Sequence, residues 1–592
     1  MNKAIEIDFP FEKVDPIAEK ESYRKEINRP IYHLHKWWAQ RLGSVFRAIV
    51  LGATLDDTQE IWAEFYHKHD LADKIILDPF MGSGTSIGEA TKLGCKVIGC
   101  DINPVSSFIV RQALKNVDTI RLIEEFEKLE KNVKPQIQKY YVKTHPKTQE
   151  VCLVLYYFWV KVVRTPDGKE IPLFSNYVFS KNAYVKKQPV AKILCPKCFA
   201  INQGEYDTTA LVCINCNHAF NPQDGPVKDQ YVFDMESGQK YKILDLVKAG
   251  NSHPPNQKLY ASLVLLPNGT KEYLPINDDD LQLYREACET SEKLALPFAN
   301  FPIDTGYNTK QAINYNYKNW KDFFNPRQYL CLTLLLEEIL KIEDKEIRDL
   351  FICLFSGTLE FNNMFCSFKG EGTGAVRHLF SHHILKPERT PLENSVWGTD
   401  KSSGTFYSLF KSRVLKANEY LSKPFEIQIL DGKTHKRYCN YPISVNYVES
   451  FEELLKTPKG CLILNGDSAQ LPIPSKSIDA IITDPPYFDF VNYSELADFF
   501  YAWLKPALKD DFSFFEKNST RRKEEVQNKD EEVFSHNLSR VFKEGARVLK
   551  EDGLMVFSFH HSKIPGWLAI YNAIIEAGFT LPKPIRLKLK CQ

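Results

Sequence analysis

Apolar residues along the chain gather into short runs and helical stripes, and their order predicts the architecture. Residues 75–80 form a short apolar run closing on Asp78-Pro79-Phe80; a glycine-rich turn, a helical stretch to Leu93 and a second apolar run, 96–101, follow. That order predicts strand, loop, helix and strand, the opening of a doubly wound α/β sheet. Upstream, residues 20–55 read as a loop and then a helix, rich in His, Trp and Arg. Beyond about residue 115 the pattern changes to a Lys-rich amphipathic helix (119–140), an aromatic-rich β-like region (about 150–275) and a mostly helical region (about 320–425). The α/β rhythm returns with strands at 461–467 and 478–484, a helix at 494–506, a charged segment at 515–532, a helix at 533–550, a strand at 553–561 and a last helix at 565–577. The spacing predicts one α/β domain in two parts, 1–115 and 451–592, split by an insertion over 116–450. Structureless loops rarely exceed about 15 residues, so the insertion is expected to fold as a domain.

Composition narrows the class. Of 592 residues, 43% are hydrophobic and 26% charged, which supports a packed core. The formal net charge is +1, so any nucleic-acid contact must come from local basic patches. Met1 to Lys20 lacks the apolar run of a signal peptide, and no stretch approaches the ~20 apolar residues of a membrane helix. Most of the 14 cysteines, such as Cys95, Cys100, Cys353 and Cys461, lie among apolar neighbours, which reads as buried thiols in a reducing cytoplasm.

The loop Asp78-Pro79-Phe80-Met81-Gly82-Ser83-Gly84-Thr85 follows a strand and opens a helix. Glycines allow a tight turn and close approach of a ligand, and a helix N-terminus offers unpaired N–H groups. Asp101, at the tip of the next strand, is placed to accept hydrogen bonds from a ribose diol. A turn with no ligand is the competing reading. A dinucleotide site would need a third glycine where Ile87 stands, and a P-loop would need a lysine after Gly84.

Asp484-Pro485-Pro486-Tyr487 closes the strand that begins at Ile478. An exocyclic amine is a poor nucleophile because its lone pair is delocalised into the ring. A carboxylate (Asp484) and a rigidly held carbonyl (Pro485) accept its two N–H protons and free that lone pair, while Tyr487 offers a face for stacking. A base buried in a duplex reaches such a site only by flipping out. A Pro-Pro turn after a buried strand is the alternative.

The glycine loop followed by the Asp-Pro-Pro-Tyr tetrad resembles the amino-methyltransferases that modify adenine N6 or cytosine N4. The resemblance covers about 75–110 and 460–580 and implies a Rossmann-like, S-adenosylmethionine-dependent methyltransferase sheet. It implies catalytic roles for Asp484, Pro485, Pro486 and Tyr487, and a cofactor set of Asp78, Phe80, Gly82, Gly84, Thr85, Asp101, Asn103 and Asp467, with Asp467 beside the cofactor's adenine. Asp rather than Ser at 484 leans toward adenine N6. The segment from Ile31 to Arg41, the cysteine ribbon and the run Tyr493 to Trp503 further resemble the large prokaryotic adenine-specific DNA methylases that contain a zinc ribbon. That resemblance spans nearly the whole chain. It implies that Lys36, Trp37 or Trp38 holds the methionine end of the cofactor, that DNA is the substrate, and that restriction-modification or defence-system proteins are partners; an aromatic packing stripe competes with the first of these.

Cys195-x-x-Cys198 and Cys213-x-x-Cys216 are separated by a short stretch, the spacing of a tetrahedral zinc site within a ribbon at about 190–222. Four thiolates leave no open position, so the zinc would be structural; a redox dithiol pair is the alternative. Relatives place another cysteine knuckle where Thr165 and Gly168 stand here, so one metal is expected. Arg377, His378, His382, His383, Lys386 and Arg389 form a basic stretch suited to phosphate contact, against the alternative of a solvated face. Arg521, Arg522 and Lys523 lie in a polar segment expected to be mobile near the active site. The tail from Leu581 to Lys590 is shorter than the final hairpin usual in such sheets. The competing functions are cytosine N4 methylation, a catalytically silent zinc-ribbon nucleic-acid-binding subunit and, more weakly, an RNA or protein amide methylase.

Overall fold

The structure is a computed structural model that describes residues 2–250, 252–294, 296–372, 374–488 and 491–580; the tail from Leu581 to Lys590 lies outside them. The chain forms two compact units. Unit 1 comprises Met1–Thr119, Arg413–Tyr501 and Phe512–Gln592; unit 2 comprises Ile120–Ser412 and Ala502–Asp511. Among the described residues no helix is long and apolar enough to cross a membrane.

Unit 1 is built on strands β1 (Ile75–Asp78), β2 (Lys96–Asp101), β3 (Asn446–Val448), β4 (Gly460–Asn465), β5 (Ile478–Thr483) and β6 (Leu549–Phe557). They form one sheet in the order β3-β4-β2-β1-β5-β6, every neighbour parallel. Strands of such a sheet are covered on both faces, so they read as unbroken apolar runs rather than alternating ones. Its helices include α1 (Gly43–Thr54), α2 (Thr85–Lys92), α3 (Pro104–Ala113), the first part of α4 (Tyr493–Leu508), α5 (Glu531–Val548) and α6 (Ile564–Glu576). Leu77, Ile98, Leu462, Ile481 and Val548 share one buried cluster. Leu77 of β1 lies opposite Ile481 of β5, so both strands end at the same edge. In an open parallel sheet, ligands bind at that carboxyl edge.

Residues 413–450 also pack into unit 1, through a buried ion cluster. Glu426 meets Arg29 and Lys92, each at 2.5 Å, and Arg47 at 3.7 Å. Glu89 meets Lys92 at 3.1 Å and Arg29 at 3.4 Å, and Glu21 accepts the N–H groups of Gly43 and Ser44 at 2.7 and 3.0 Å. The Tyr420 hydroxyl accepts from Arg29 and Lys92. Burial works to raise the Glu426 carboxyl, but Arg29, Lys92 and Arg47 outweigh it and hold the group well below the usual carboxylate range. Three cations face three carboxylates, all but wholly buried, so the cluster is neutral only when complete.

In unit 2 the long strand Val151–Arg164 pairs antiparallel with Asn256–Leu265 and with Leu392–Asn394. Helices Asp278–Lys293, Pro326–Ile339 and Lys345–Leu359 belong to the same unit. Arg327 and Glu393 form a fully buried two-pronged pair at 2.7 and 2.8 Å, and Trp159 donates to the same carboxylate at 2.7 Å. Thr165 and Gly168 form the turn of the hairpin between Val151–Arg164 and Glu170–Pro172, with the Thr165 hydroxyl accepting from the Lys169 N–H.

Removing one member of a buried ion cluster leaves charges without partners, at a cost of about 3–5 kcal/mol. Glu426→Ala is expected to lower the unfolding free energy of unit 1 by that amount, read from the midpoint of its transition in urea.

Candidate active site and cysteine cluster

The glycine loop and the tetrad meet. Asp78, at the end of β1, accepts hydrogen bonds from the Thr483 hydroxyl of β5 at 2.6 Å, from the Phe80 N–H at 3.0 Å and from the Ser86 hydroxyl of α2. Gly82 and Gly84 have φ of +51° and +78°. A Cβ on Gly82 would stand 2.9 Å from the Trp37 indole nitrogen, and one on Gly84 would stand 2.9 Å from the Val110 methyls. The loop can therefore adopt this path only with glycine at both positions.

One pocket lies above the carboxyl edge, lined by Asp78, Phe80, Gly82, Thr85, Asp101, Asn103, Asp467, Asp484 and Pro486. Of the residues expected at the site, Gly84, Pro485 and Tyr487 are not part of this lining: Gly84 packs on α3, Pro485 is buried, and Tyr487 sits beside Asp484. Trp37 and Trp38 line the pocket and Lys36 does not. Their segment is irregular, running between a short turn of helix at Pro30–His33 and α1, and Trp37 stacks on Tyr493 with centroids 6.0 Å apart.

Each carboxylate is oriented by donors. Asp101 accepts the N–H groups of Gly82 at 2.9 Å and Asn103 at 2.8 Å. Asp467 accepts the Ala469 N–H at 2.9 Å and the Arg540 guanidinium at 2.8 Å. Asp484 meets Arg41 at 2.6 Å through Oδ2, while its Oδ1 accepts from the Tyr487 hydroxyl at 3.2 Å and from the Ser558 hydroxyl. Burial raises the Asp484 carboxyl, opposed by Arg41.

Asn103 caps α3 by accepting the Val105 N–H, but its buried Nδ2 has no partner among the described residues. A buried donor left facing a pocket calls for an acceptor on a ligand. That donor, the glycine cradle and the Asp101 carboxylate together fit a ribose-bearing cofactor such as S-adenosylmethionine.

Several pocket residues were not singled out in the sequence: Arg41, Ser468, Tyr493, and Glu524 to Gln527. Arg41 and Tyr493 fall inside strings that are conspicuous for their aromatics, which mask the single residue. Glu524 to Gln527 belong to a charged stretch that reads as solvated. The stretch is tied down: Asp498 accepts from Ser519 at 2.8 Å and from the Thr520 N–H at 2.6 Å, and Arg521 lies 3.6 Å from Asp498. Ser494 donates to Glu525 at 2.7 Å, and burial pushes the Glu525 carboxyl up to about 7.

In unit 2, Cys195 and Cys198 sit at the turn between strands Val190–Leu194 and Ile201–Glu205, and Cys213 and Cys216 between Leu211–Val212 and Ala219–Phe220. Phe199 and Asn217, each following the second cysteine of its knuckle, share a left-handed backbone at φ +59° and +54°. The four sulfurs lie within 4.8 Å of one another, with Cys195–Cys216 at 3.7 Å and Cys198–Cys213 at 3.6 Å. Sulfurs set tetrahedrally ~2.3 Å from a zinc ion are about 3.8 Å apart, so the donor set fits that metal. In the basic stretch Arg377, His382, His383 and Lys386 are exposed, whereas His378 lies 3.4 Å from Glu360 and Arg389 donates to the Asp229 carbonyl. A separate cleft in unit 2 is lined by Lys147, Lys192, Lys258 and Lys271 with aromatic side chains between them.

Burial lifts the Asp78 carboxyl from 3.8 to about 6, against its three hydrogen bonds. Folding is therefore favoured by this group below about pH 4, and that contribution is lost as pH rises through 6. Between pH 4 and 7 the stability of Asp78→Asn should rise relative to that of the unchanged protein by about 3 kcal/mol, measured by urea titration. A difference independent of pH would contradict the shift.

A DNA methylase family model of the N6/N4 type matches residues 64–111 and 478–589. The Type II methyltransferase M.MjaII of Methanocaldococcus jannaschii is 38% identical over 58 residues, which cover 10% of this chain and 11% of that protein. No solved structure matches. The two matched segments carry β1, β2, β5 and β6 of the sheet together with the glycine loop and the tetrad, and they are similar to the N6/N4 DNA methylase family.

Proposed function

We propose that the protein is an S-adenosylmethionine-dependent DNA methyltransferase that methylates N6 of a flipped adenine. The observation that carries this reading is the meeting of the glycine loop and the tetrad at adjacent strand ends, across the hydrogen bond from Thr483 to Asp78, around one pocket. Gly82 and Gly84 give the loop the path that borders the cofactor pocket, and the remaining lone pairs of Asp101 take the ribose hydroxyls of the cofactor. Asn103 Nδ2 and Asp467 face its polar atoms, and Trp37 and Trp38 wall its methionine end. S-adenosylmethionine supplies, when bound, an electrophilic methyl group on a sulfonium. Asp484 and the Pro485 carbonyl accept hydrogen bonds from the two amine N–H groups of the base and turn its lone pair toward that methyl, while Pro486 fixes the turn and Tyr487 stacks on the ring. The cysteine cluster holds one structural zinc. The exposed basic stretch 377–386 and the lysine-lined cleft of unit 2 are the surfaces suited to DNA phosphates. A restriction-modification or defence setting, with its partner proteins, agrees with the Type II methyltransferase likeness.

Three outcomes are expected. DNA from expressing cells, digested to nucleosides, contains N6-methyladenine by mass; N4-methylcytosine would move the target to cytosine. Asp484→Ala lowers methyl transfer by at least ~10³-fold, while calorimetry shows cofactor binding within a few-fold of the unchanged protein. The purified protein carries one zinc per chain by elemental analysis, and Cys213→Ala loses it.

A further inference from the structure

Asp484 is not open to an acceptor base in this structure, because Arg41 stands on it. The Arg41 Nη2 lies 2.6 Å from Asp484 Oδ2 and donates to the Tyr487 hydroxyl, and the guanidinium carbon lies 4.9 Å from the centroid of the Tyr487 ring. The other carboxylate oxygen is taken by Ser558 and Tyr487. A guanidinium is flat, stacks on aromatic faces and presents N–H donors in its plane. A nucleobase with an exocyclic amine has the same three attributes, and the tetrad would use the same two partners, the Asp484 oxygen and the Tyr487 ring, to hold it.

We infer that Arg41 fills the acceptor-base subsite of the free protein and that the flipped base enters by displacing it. This rests on the methyl-transfer reading above. The side chain is held for exchange rather than permanence. Its Nε has no partner among the described residues, so the hold comes from Nη2 and the stack. Its segment is irregular, with Ala39 in the left-handed region at φ +57°. The exchange also leaves both groups with partners. While the base is absent, Arg41 compensates a nearly buried carboxylate that would otherwise lack a cation. When the base enters, its amine donors satisfy Asp484, and the released guanidinium meets the phosphates of the strand that delivered the base. Arg41 is thus a positioning residue for Asp484 and Tyr487 in the free state and a competitor of the base.

The test measures binding of a neutral, fluorescent base, 2-aminopurine riboside, to the full-length protein saturated with S-adenosylhomocysteine. Arg41→Ala and Arg41→Gln should each bind the riboside about tenfold more tightly than the unchanged protein, with thermal midpoints confirming that they are folded. In the unchanged protein affinity should rise with potassium chloride, because salt weakens the Arg41–Asp484 pair, and in Arg41→Ala that dependence should vanish. The salt series needs no variant to fold. Unchanged or weaker binding in the folded variants, or affinity in the unchanged protein that does not rise with salt, overturns the inference. Methyl transfer is not needed for the readout: if no DNA is methylated while Arg41→Ala still captures the riboside more tightly, the reaction assigned above fails and the displacement stands.

Discussion

The buried carboxylate of Asp78 is the joint on which the pocket depends. It ends the central strand β1, and its acceptors are shared among the glycine loop, the first turn of α2 and the last residue of β5. These donors come from chain segments about 400 residues apart. An unpartnered carboxylate in this position would be expensive to bury, so the register of β1 against β5 and the path of the loop are fixed together.

Four aspartates crowd the same edge of the sheet, at the ends of β1, β2, β4 and β5. Like charges so arranged repel unless each has its own donors. The structure assigns Asp78 one N–H and two hydroxyls, Asp101 two backbone N–H groups, Asp467 an N–H and Arg540, and Asp484 two hydroxyls and Arg41. Only two of the four rely on a cation, and of the four strands theirs are the outer two in the sheet order: Asp467 follows β4 and Asp484 follows β5. The edge keeps acceptor capacity on its pocket side while its charge is met mostly from the protein side.

How far this was legible in the sequence follows from the range of the interactions. The units at 75–101 and 461–484 are visible because a buried parallel strand leaves an unbroken apolar run and a glycine turn leaves its own signature. The two cysteine knuckles are visible because their ligands are close in sequence. The partners of Asp484 are not: Arg41 and Ser558 lie hundreds of residues and tens of residues away, and each is an ordinary residue in its local context. The membership of residues 413–450 in unit 1 is equally hidden, since it hangs on Glu426 meeting Arg29, Arg47 and Lys92 in a cluster whose pieces look, one at a time, like surface charges. The charged stretch 515–532 reads as mobile for the same reason, although Asp498 and Ser494 hold it.

The strand order has a consequence for biosynthesis. β1 acquires one neighbour, β2, within about twenty residues, but its other neighbour, β5, is translated some 400 residues later. At roughly 5–20 residues per second, the inner edge of β1 waits on the order of 20–80 s on the ribosome with its backbone groups and Ile76 and Leu77 unpaired. Unit 2 is completely synthesised, apart from a short helical segment, before that edge can close. β1 is therefore made long before its second partner, and in the nascent chain it is this open strand, rather than the insertion, that needs shielding from other chains.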